Sequence, residues 1–253
     1  MKLVRRFLAA VSFLTRLPVP ANVQLDEVSL AESPPMFPLV GAIIGLVTAG
    51  FDRLACALFH PAVAAVGDLM VVFGLTGGLH LDGLLDSADG LLSGKSREKA
   101  LDIMKDSRVG AMGVSAGILV IGLKITLIAV LAAGARFKAL LIAPLLGRYS
   151  MLVAMTLFPY ARPEQGLGSL FKAEATSGRL LVPRLFIPGL FVTAVTIVAA
   201  GQRGAAALFL SVLLAMVLGR WASARLGGLT GDVYGALNEI IETAVLAVFA
   251  ARW

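Results

Sequence analysis

The feature that most constrains this chain is the recurrence of apolar runs long enough to cross a bilayer. A hydrocarbon core about 30 Å thick needs roughly 20 apolar residues in a helix. In lipid, only helices and closed barrels satisfy every backbone polar group internally. The runs read as spans near 37–58, 62–81, 114–133, 138–158, 185–200, 205–220 and 236–251, seven in all, with a short fifth. Composition agrees: 58% of the 253 residues are hydrophobic and 15% charged, with mean hydropathy +0.89. Soluble chains carry about 25% charged residues, so a soluble domain is excluded. No polar stretch is long enough to fold separately, and residues 1–253 read as one polytopic all-α domain. The single cysteine, Cys56, sits inside an apolar run and rules out an intramolecular disulfide or a thiolate metal cage.

Residues 1–20, MKLVRRFLAAVSFLTRLPVP, resemble a signal peptide only briefly. The apolar stretch Phe7–Leu14 is short, Arg16 stands just beyond it, and no small-x-small cleavage site comes after it. An amphipathic helix lying in the membrane interface, ended by Pro18 and Pro20, fits better. The net charge of +6 invites a nucleic-acid partner. Its distribution argues against one, because the basic residues gather in loops beside spans, where anionic headgroups lie. The N-terminal segment, the 80–113 loop and the loops at 159–184 and 220–236 hold most of them. Arg136, Lys138, Arg203 and Arg252 fall on the other side. The positive-inside rule therefore puts the N-terminus and the central loop in the cytoplasm. With seven spans the C-terminus lies outside.

Against this apolar background, His80–Gly113 reads HLDGLLDSADGLLSGKSREKALDIMKDSRVGAMG. On a helix, Asp86 falls about 40° from Asp82 and Asp89 about 20° to the other side, so three carboxylates share one stripe. Leu84, Ala88 and Leu91 occupy the far face, and Gly83 and Gly90 flank the stripe without bulk. Two like charges about 7 Å apart repel by about 2.4 kcal/mol at an effective dielectric of about 20. Clustered hard oxygens select Mg²⁺, Mn²⁺ or Ca²⁺. A solvated acidic turn between spans is the competing reading. The third in-phase Asp and the basic, glycine-rich continuation weigh against it.

That continuation, Asp106–Gly113 (DSRVGAMG), places Arg108 between Asp106 and two glycine-lightened turns. Arg is the bidentate partner of phosphate. Gly110 and Gly113 would let backbone N–H groups approach an anion at the start of the next helix; Lys105 is a weaker contact. A second acidic segment, GDVYGALNEIIE, puts Asp232 and Glu239 within about 20° of one helical face, with Glu242 about 60° further round. A carboxylate at membrane depth costs several kcal/mol unless paired or facing a polar cavity. Two acidic helices starting from one membrane face would make a shared divalent-cation site. Arg148, mid-span in PLLGRYSM, needs an anion: Asp52, Glu239, Glu242 or a bound phosphate. Lys124 sits in an apolar run and reads as structural. His80, next to the stripe, is a candidate base or substrate contact. The turn Gly166–Phe171 could close over a ligand.

The run HLDGLLDSADGLLSG followed by SREKALDIMKDSRVGAMGV resembles the signature of the cobalamin synthase family, the adenosylcobinamide-GDP ribazoletransferases. FLTRLPVP (Phe13–Pro20), FPLVGAIIG (Phe37–Gly45), the GRYSM segment and GDVYGALNE match that family's pattern in the same order, so the resemblance covers essentially the whole chain. It implies a Mg²⁺-dependent phosphoryl transfer in a bacterial inner membrane, with the active site facing the cytoplasm. A ribosyl hydroxyl of α-ribazole, or of its 5′-phosphate, attacks adenosylcobinamide-GDP and GMP leaves. It further implies Asp82, Asp86 and Asp89 as principal metal ligands, Asp232 and Glu239 as further ligands, and Arg108 as phosphate clamp with Lys105 and Arg148 as lesser contacts. A carboxylate of the cluster or His80 would take the hydroxyl proton. Membrane lipid, a second copy of the chain and other corrinoid-pathway enzymes are the partners such an enzyme would meet. A CDP-alcohol phosphatidyltransferase is the nearest alternative, but its Ala-Arg and final Asp pair are missing at the required spacing. A secondary transporter would use mid-membrane Arg148, Glu239 and Glu242 as a path. No inverted repeat supports that reading.

Overall fold

The computed structural model of the protein describes residues 2–20, 26–162 and 181–252. Among them the fold is all helical: α1 (Lys2–Leu14), α2 (Glu27–Ala31), α3 (Phe37–Leu58), α4 (Pro61–Thr76), α5 (Leu79–Leu91), α6 (Arg97–Ile103), α7 (Ala111–Val130), α8 (Ala133–Leu157), α9 (Leu181–Leu226) and α10 (Gly231–Ala250). Only an isolated bridge pairs extended backbone, between Tyr160 and Leu229. It ties the exit of α8 to the entry of α10, through Ala161 N–H to Leu229 O at 2.8 Å and Leu229 N–H to Pro159 O at 2.7 Å. The Gly166–Phe171 turn lies outside the described residues.

Among the described residues, five helices are long and apolar enough to cross a membrane: Pro34–Leu58, Ala111–Val130, Ala133–Leu157, Arg184–Leu226 and Gly231–Ala250. A bent pair, α4 and α5, makes six if counted as one span. This count does not confirm the seven spans expected from the sequence. The difference lies in two places. First, α9 is two helices joined at a break at Gly201 (φ 54°, ψ −126°), counted as one span where the sequence reads two, 185–200 and 205–220. A straight helix over the 43 residues Arg184–Leu226 would run about 64 Å, twice the hydrocarbon core. Gly204 instead lies against the carbonyl of Thr196, so the chain bends sharply there.

Second, the span expected at 62–81 ends at Thr76. Gly77 and Gly78 both take left-handed backbone (φ 66° and 74°), a conformation that a Cβ disfavours. The chain turns 93° before α5 begins. The acidic stripe is thus not the tail of a span but a separate helix set across its end.

The central span is α8, buried nearly all round from Ala139 to Met155. It packs against α3, α9 and α10. One apolar cluster (Phe37, Met151, Tyr160, Leu226, Leu237) fills the end nearest α5, and a second (Ile128, Leu145, Leu146, Ile241, Phe249) the other. Arg136, expected in an external loop, is instead inside α8 and 1% exposed. It pairs with Asp52 of α3 at 2.5 Å and Asp68 of α4 at 3.1 Å, and donates to Pro61 O at 3.0 Å. Asp52 is therefore the partner of Arg136 rather than of Arg148. The terminal α1 carries Lys2, Leu3, Val4 and Arg5 exposed and buries Ala9, Ala10 and Leu14, as an interfacial helix should.

Candidate active site

The helical stripe expected at 82–89 is real: α5 is unbroken from Leu79 to Leu91 and carries Asp82 exposed, with Asp86 and Asp89 half-buried. It crosses the start of α10 at two glycines. A Cβ on Gly83 would lie 2.7 Å from the Asp232 carbonyl oxygen, and one on Gly235 would lie 3.1 Å from His80 Cα. Glycine at both positions lets the backbones touch, and this brings Asp232, about 150 residues away, beside the stripe. Asp86 feels the charges of Asp82, Asp232 and Asp89, and in the opposite sense that of Arg162. Four carboxylates thus gather where α5 meets α10, with little positive charge among the described residues to balance them.

Asp89 differs from the other three. Its carboxylate accepts the backbone N–H of Gly110 at 2.6 Å and of Gly113 at 2.9 Å. Gly110 is the N-cap of α7, so an anion does sit on that helix N-terminus, where orphan N–H groups and the helix dipole favour one. The anion is the chain's own. A Cβ at either glycine would collide with the Asp89 carboxylate, which explains DSRVGAMG without a ligand. Asp89 fastens the stripe to α7 and keeps spare lone pairs on each oxygen.

Arg108 turns outward. Its side chain is 87% exposed and forks onto Asp106, Nε to Oδ1 at 3.0 Å and Nη2 to Oδ2 at 2.6 Å. That guanidinium holds the Asp106 carboxyl down at about 2, well below the usual carboxylate range. Lys105 is exposed beside them.

Glu239 does not join the four carboxylates. Lys124 of α7 places its ammonium 2.7 Å from Glu239 Oε2 and 2.7 Å from Glu242 Oε2. Arg148 of α8 pairs with Glu242 Oε1 and lies 3.2 Å from His80 Nδ1. Two acids and two bases close a buried network across α7, α8 and α10, joined to α5 through His80. The cation that Glu239 requires is Lys124. His80 is 2% exposed, so it is a member of this network rather than a group facing solvent. Among the described residues, no three His, Cys, Asp or Glu side chains converge closely enough to hold a metal ion unaided.

Sequence reasoning misses Arg162, which reads there as one more loop charge. In the fold its Nη1 lies 3.9 Å from Asp232 Oδ2 and its Nη2 donates to Leu101 O at 2.9 Å. Its place just beyond α8, opposite the residues before α10, is the available signal. Lys124 is structural, as its apolar surroundings suggest, but its partners are not readable from the chain.

A stripe of acids at one membrane face, backed by a neutral charge network, suits the handling of a phosphorylated polar substrate beside lipid. Comparison with known proteins narrows this. The chain is 39% identical over 247 residues to the adenosylcobinamide-GDP ribazoletransferase of Brevibacillus brevis, covering 98% of both chains. It is 40% identical to that of Desulforamulus reducens over 237 residues (94% and 92% covered), and 42% to that of Roseiflexus sp. strain RS-1 over 240 residues (94% and 86%). No solved structure matches it. The family model described as cobalamin-5-phosphate synthase matches residues 6–250, and this chain belongs to that family.

Proposed function

We propose that the protein is an adenosylcobinamide-GDP ribazoletransferase whose chemistry takes place where α5 meets the start of α10. The relatives' shared name supports the reaction. The observation that carries the location is the gathering of Asp82, Asp86 and Asp232 through the Gly83 and Gly235 contacts. In the reaction, a ribosyl hydroxyl oxygen of α-ribazole or its 5′-phosphate forms a bond to the cobinamide-side phosphorus. The bond from that phosphorus to the bridging oxygen breaks, GMP departs with the electron pair, and the hydroxyl proton passes to a base.

Phosphoryl transfer needs alignment and charge neutralisation more than a covalent nucleophile. Mg²⁺ held at these carboxylates would supply that neutralisation. The donor set suits it, since Mg²⁺ commonly uses one or two carboxylates plus substrate phosphates and water. A preformed three-ligand cage is not required. One or two of Asp82, Asp86 and Asp232 would hold the ion, with water and substrate completing its shell. Asp89, already accepting two N–H bonds, fixes the helix and can add an oxygen. Glu239 is left out, being matched by Lys124. A carboxylate of the stripe takes the hydroxyl proton; His80, buried against Arg148, is poorly placed to do so.

The reading extends to location: a bacterial inner membrane with this face toward the cytoplasm, as the basic loops beside α5 and α6 favour. A nucleotide substrate and α-ribazole would arrive there from water while lipid surrounds the apolar spans. The test is the purified protein in lipid with adenosylcobinamide-GDP, α-ribazole and Mg²⁺. GMP and a cobalamin should form together, and both should stop when EDTA removes the metal. GMP formation unaffected by EDTA would remove the metal from the mechanism. Absence of GMP in every condition would remove the reaction.

A further inference from the structure

We propose that Arg162 is the guanidinium that receives the substrate's diphosphate, a part the sequence suggests for Arg108. The inference rests on the reading that the diphosphate reacts beside Asp82, Asp86 and Asp232. A diphosphate approaching four carboxylates needs a fixed positive partner, and guanidinium is the side chain that offers paired, coplanar N–H donors to phosphate oxygens.

The basic residues near α5 separate by what they already hold. Arg108 is forked onto Asp106 and turned to solvent. Arg148 is buried and committed to Glu242 and His80. Lys124 is enclosed between Glu239 and Glu242. Arg225 reaches back to Leu91 O at 3.2 Å. Arg162 is the cation whose charge is felt at both Asp86 and Asp232.

Its hydrogen bonding is half-finished. One nitrogen, Nη2, is anchored on Leu101 O of α6, which fixes the plane of the group. Nη1 stands 3.9 Å from Asp232 Oδ2, an ion-pair distance too long for a hydrogen bond. Nε has no hydrogen-bond partner among the described residues but is itself closed off from solvent, which leaves Nη1 as the donor an arriving anion can reach. The side chain is 18% exposed and lies at the edge of the acid cluster. A guanidinium held at one end, with donors to spare at the other, is preorganised for an arriving anion, and little entropy is lost when it binds. Asp232 at 3.9 Å keeps it aimed without occupying its donors.

The experiment uses the full chain in lipid nanodiscs and two independent readouts. In the first, inorganic pyrophosphate with Mg²⁺ is titrated while thermal unfolding is followed. The wild type and Arg108→Gln should gain the same stabilisation, and Arg162→Gln should lose most of it. Arg162→Lys, which keeps the charge but not the fork, should fall between. In the second, steady-state rates should show KM for adenosylcobinamide-GDP rising on the order of 10- to 100-fold in Arg162→Gln, as for loss of a charged ligand contact worth about 1.5–3 kcal/mol, with KM for α-ribazole unchanged. A merely structural arginine holding α6 would lower the unfolding temperature without ligand and shift both KM values together. The proposal is overturned if Arg162→Gln keeps the pyrophosphate response, if Arg108→Gln loses it, if the wild type shows none, or if both KM values move alike. The titration needs no turnover, so failure of the transferase reading would show as a wild type that binds pyrophosphate and forms no GMP.

Discussion

Two groups of charges lie within a few helical turns of each other, and they are opposites. At the meeting of α5 and α10, Asp82, Asp86, Asp89 and Asp232 lie together, and among the described residues Arg162 stands beside them, 3.9 Å from Asp232. Deeper between the helices, Lys124 and Arg148 face Glu239 and Glu242, charge for charge, with the Lys124 ammonium 2.7 Å from both acids. The first group is partly exposed and electrostatically unfinished; the second is buried and complete. A buried pair gains little over apolar packing, yet losing one member leaves an uncompensated charge. An unfinished cluster costs stability for as long as its counter-ion is absent. The same side-chain chemistry thus stands matched in one place and unmatched in the other, and the balance of charge tells the two apart.

The largest expected effect breaks the complete group. Glu242→Gln leaves Arg148 and Lys124 each short of an anion and should cost about 3–5 kcal/mol, measured as a fall in unfolding temperature in detergent or nanodiscs. Removing an ion pair together, as in Lys124→Met with Glu239→Gln, should cost clearly less than the two single changes summed. Additive losses would show that the network is not a unit.

The unfinished group should respond in rate rather than in stability. Asp86→Asn removes a carboxylate crowded by three others, so unfolding temperature should hold or rise while kcat/KM falls by about 10²–10³-fold, the scale seen when a group that stabilises transition-state charge is lost. A stability loss matching that of Glu242→Gln would erase the distinction between the two groups.

How much of this the sequence discloses depends on range. Helical phase is local, so the alignment of Asp82, Asp86 and Asp89 is legible, as is the common face of Asp232 and Glu239. Partnership is tertiary and is not. Gly110 and Gly113 point to an anion at the start of α7, but not to its identity, since Asp89 is 21 residues from Gly110. Arg148 plainly needs an anion, and four candidates stand open until α10 places Glu242. Glu239 is drawn toward the stripe because Lys124, 115 residues away, has no visible claim on it. A seven-span reading takes α4 and the start of α5 as one run, because Gly77 and Gly78 do not interrupt the hydropathy although their backbone turns the chain. Arg136 looks external because it begins α8, and only the fold reveals Asp52 and Asp68 around it.

A middle-sized effect tests the link between the stripe and α7. Gly113→Ala pushes a methyl group against the Asp89 carboxylate and the Leu85 carbonyl. Losing that cap should cost about 1–2 kcal/mol, despite the better helix propensity of alanine. Gly122→Ala on the same helix meets nothing within 4 Å and should be neutral or stabilising by up to about 1 kcal/mol. Equal outcomes at the two glycines would mean that Asp89 is not seated as described.

The smallest expected effect is a coupling close to zero, and it draws the boundary between the groups most sharply. If Glu239 belonged with Asp86 as a metal ligand, Asp86→Asn and Glu239→Gln would be strongly non-additive in kcat/KM, because residues that act as a unit lose their effect together. Glu239 is instead held by Lys124 at 2.7 Å. The two substitutions should therefore add within about 0.3–0.5 kcal/mol, as independent sites do. Glu239→Gln alone should act mainly on stability, through an ammonium left with Glu242 as its anion. Measuring both quantities on all four proteins of the cycle separates the cases: near-zero coupling in kcat/KM with the stability loss confined to Glu239→Gln keeps the groups apart, whereas a coupling above about 1 kcal/mol, beyond the scatter of independent sites, would move Glu239 into the acid site and make the two regions one.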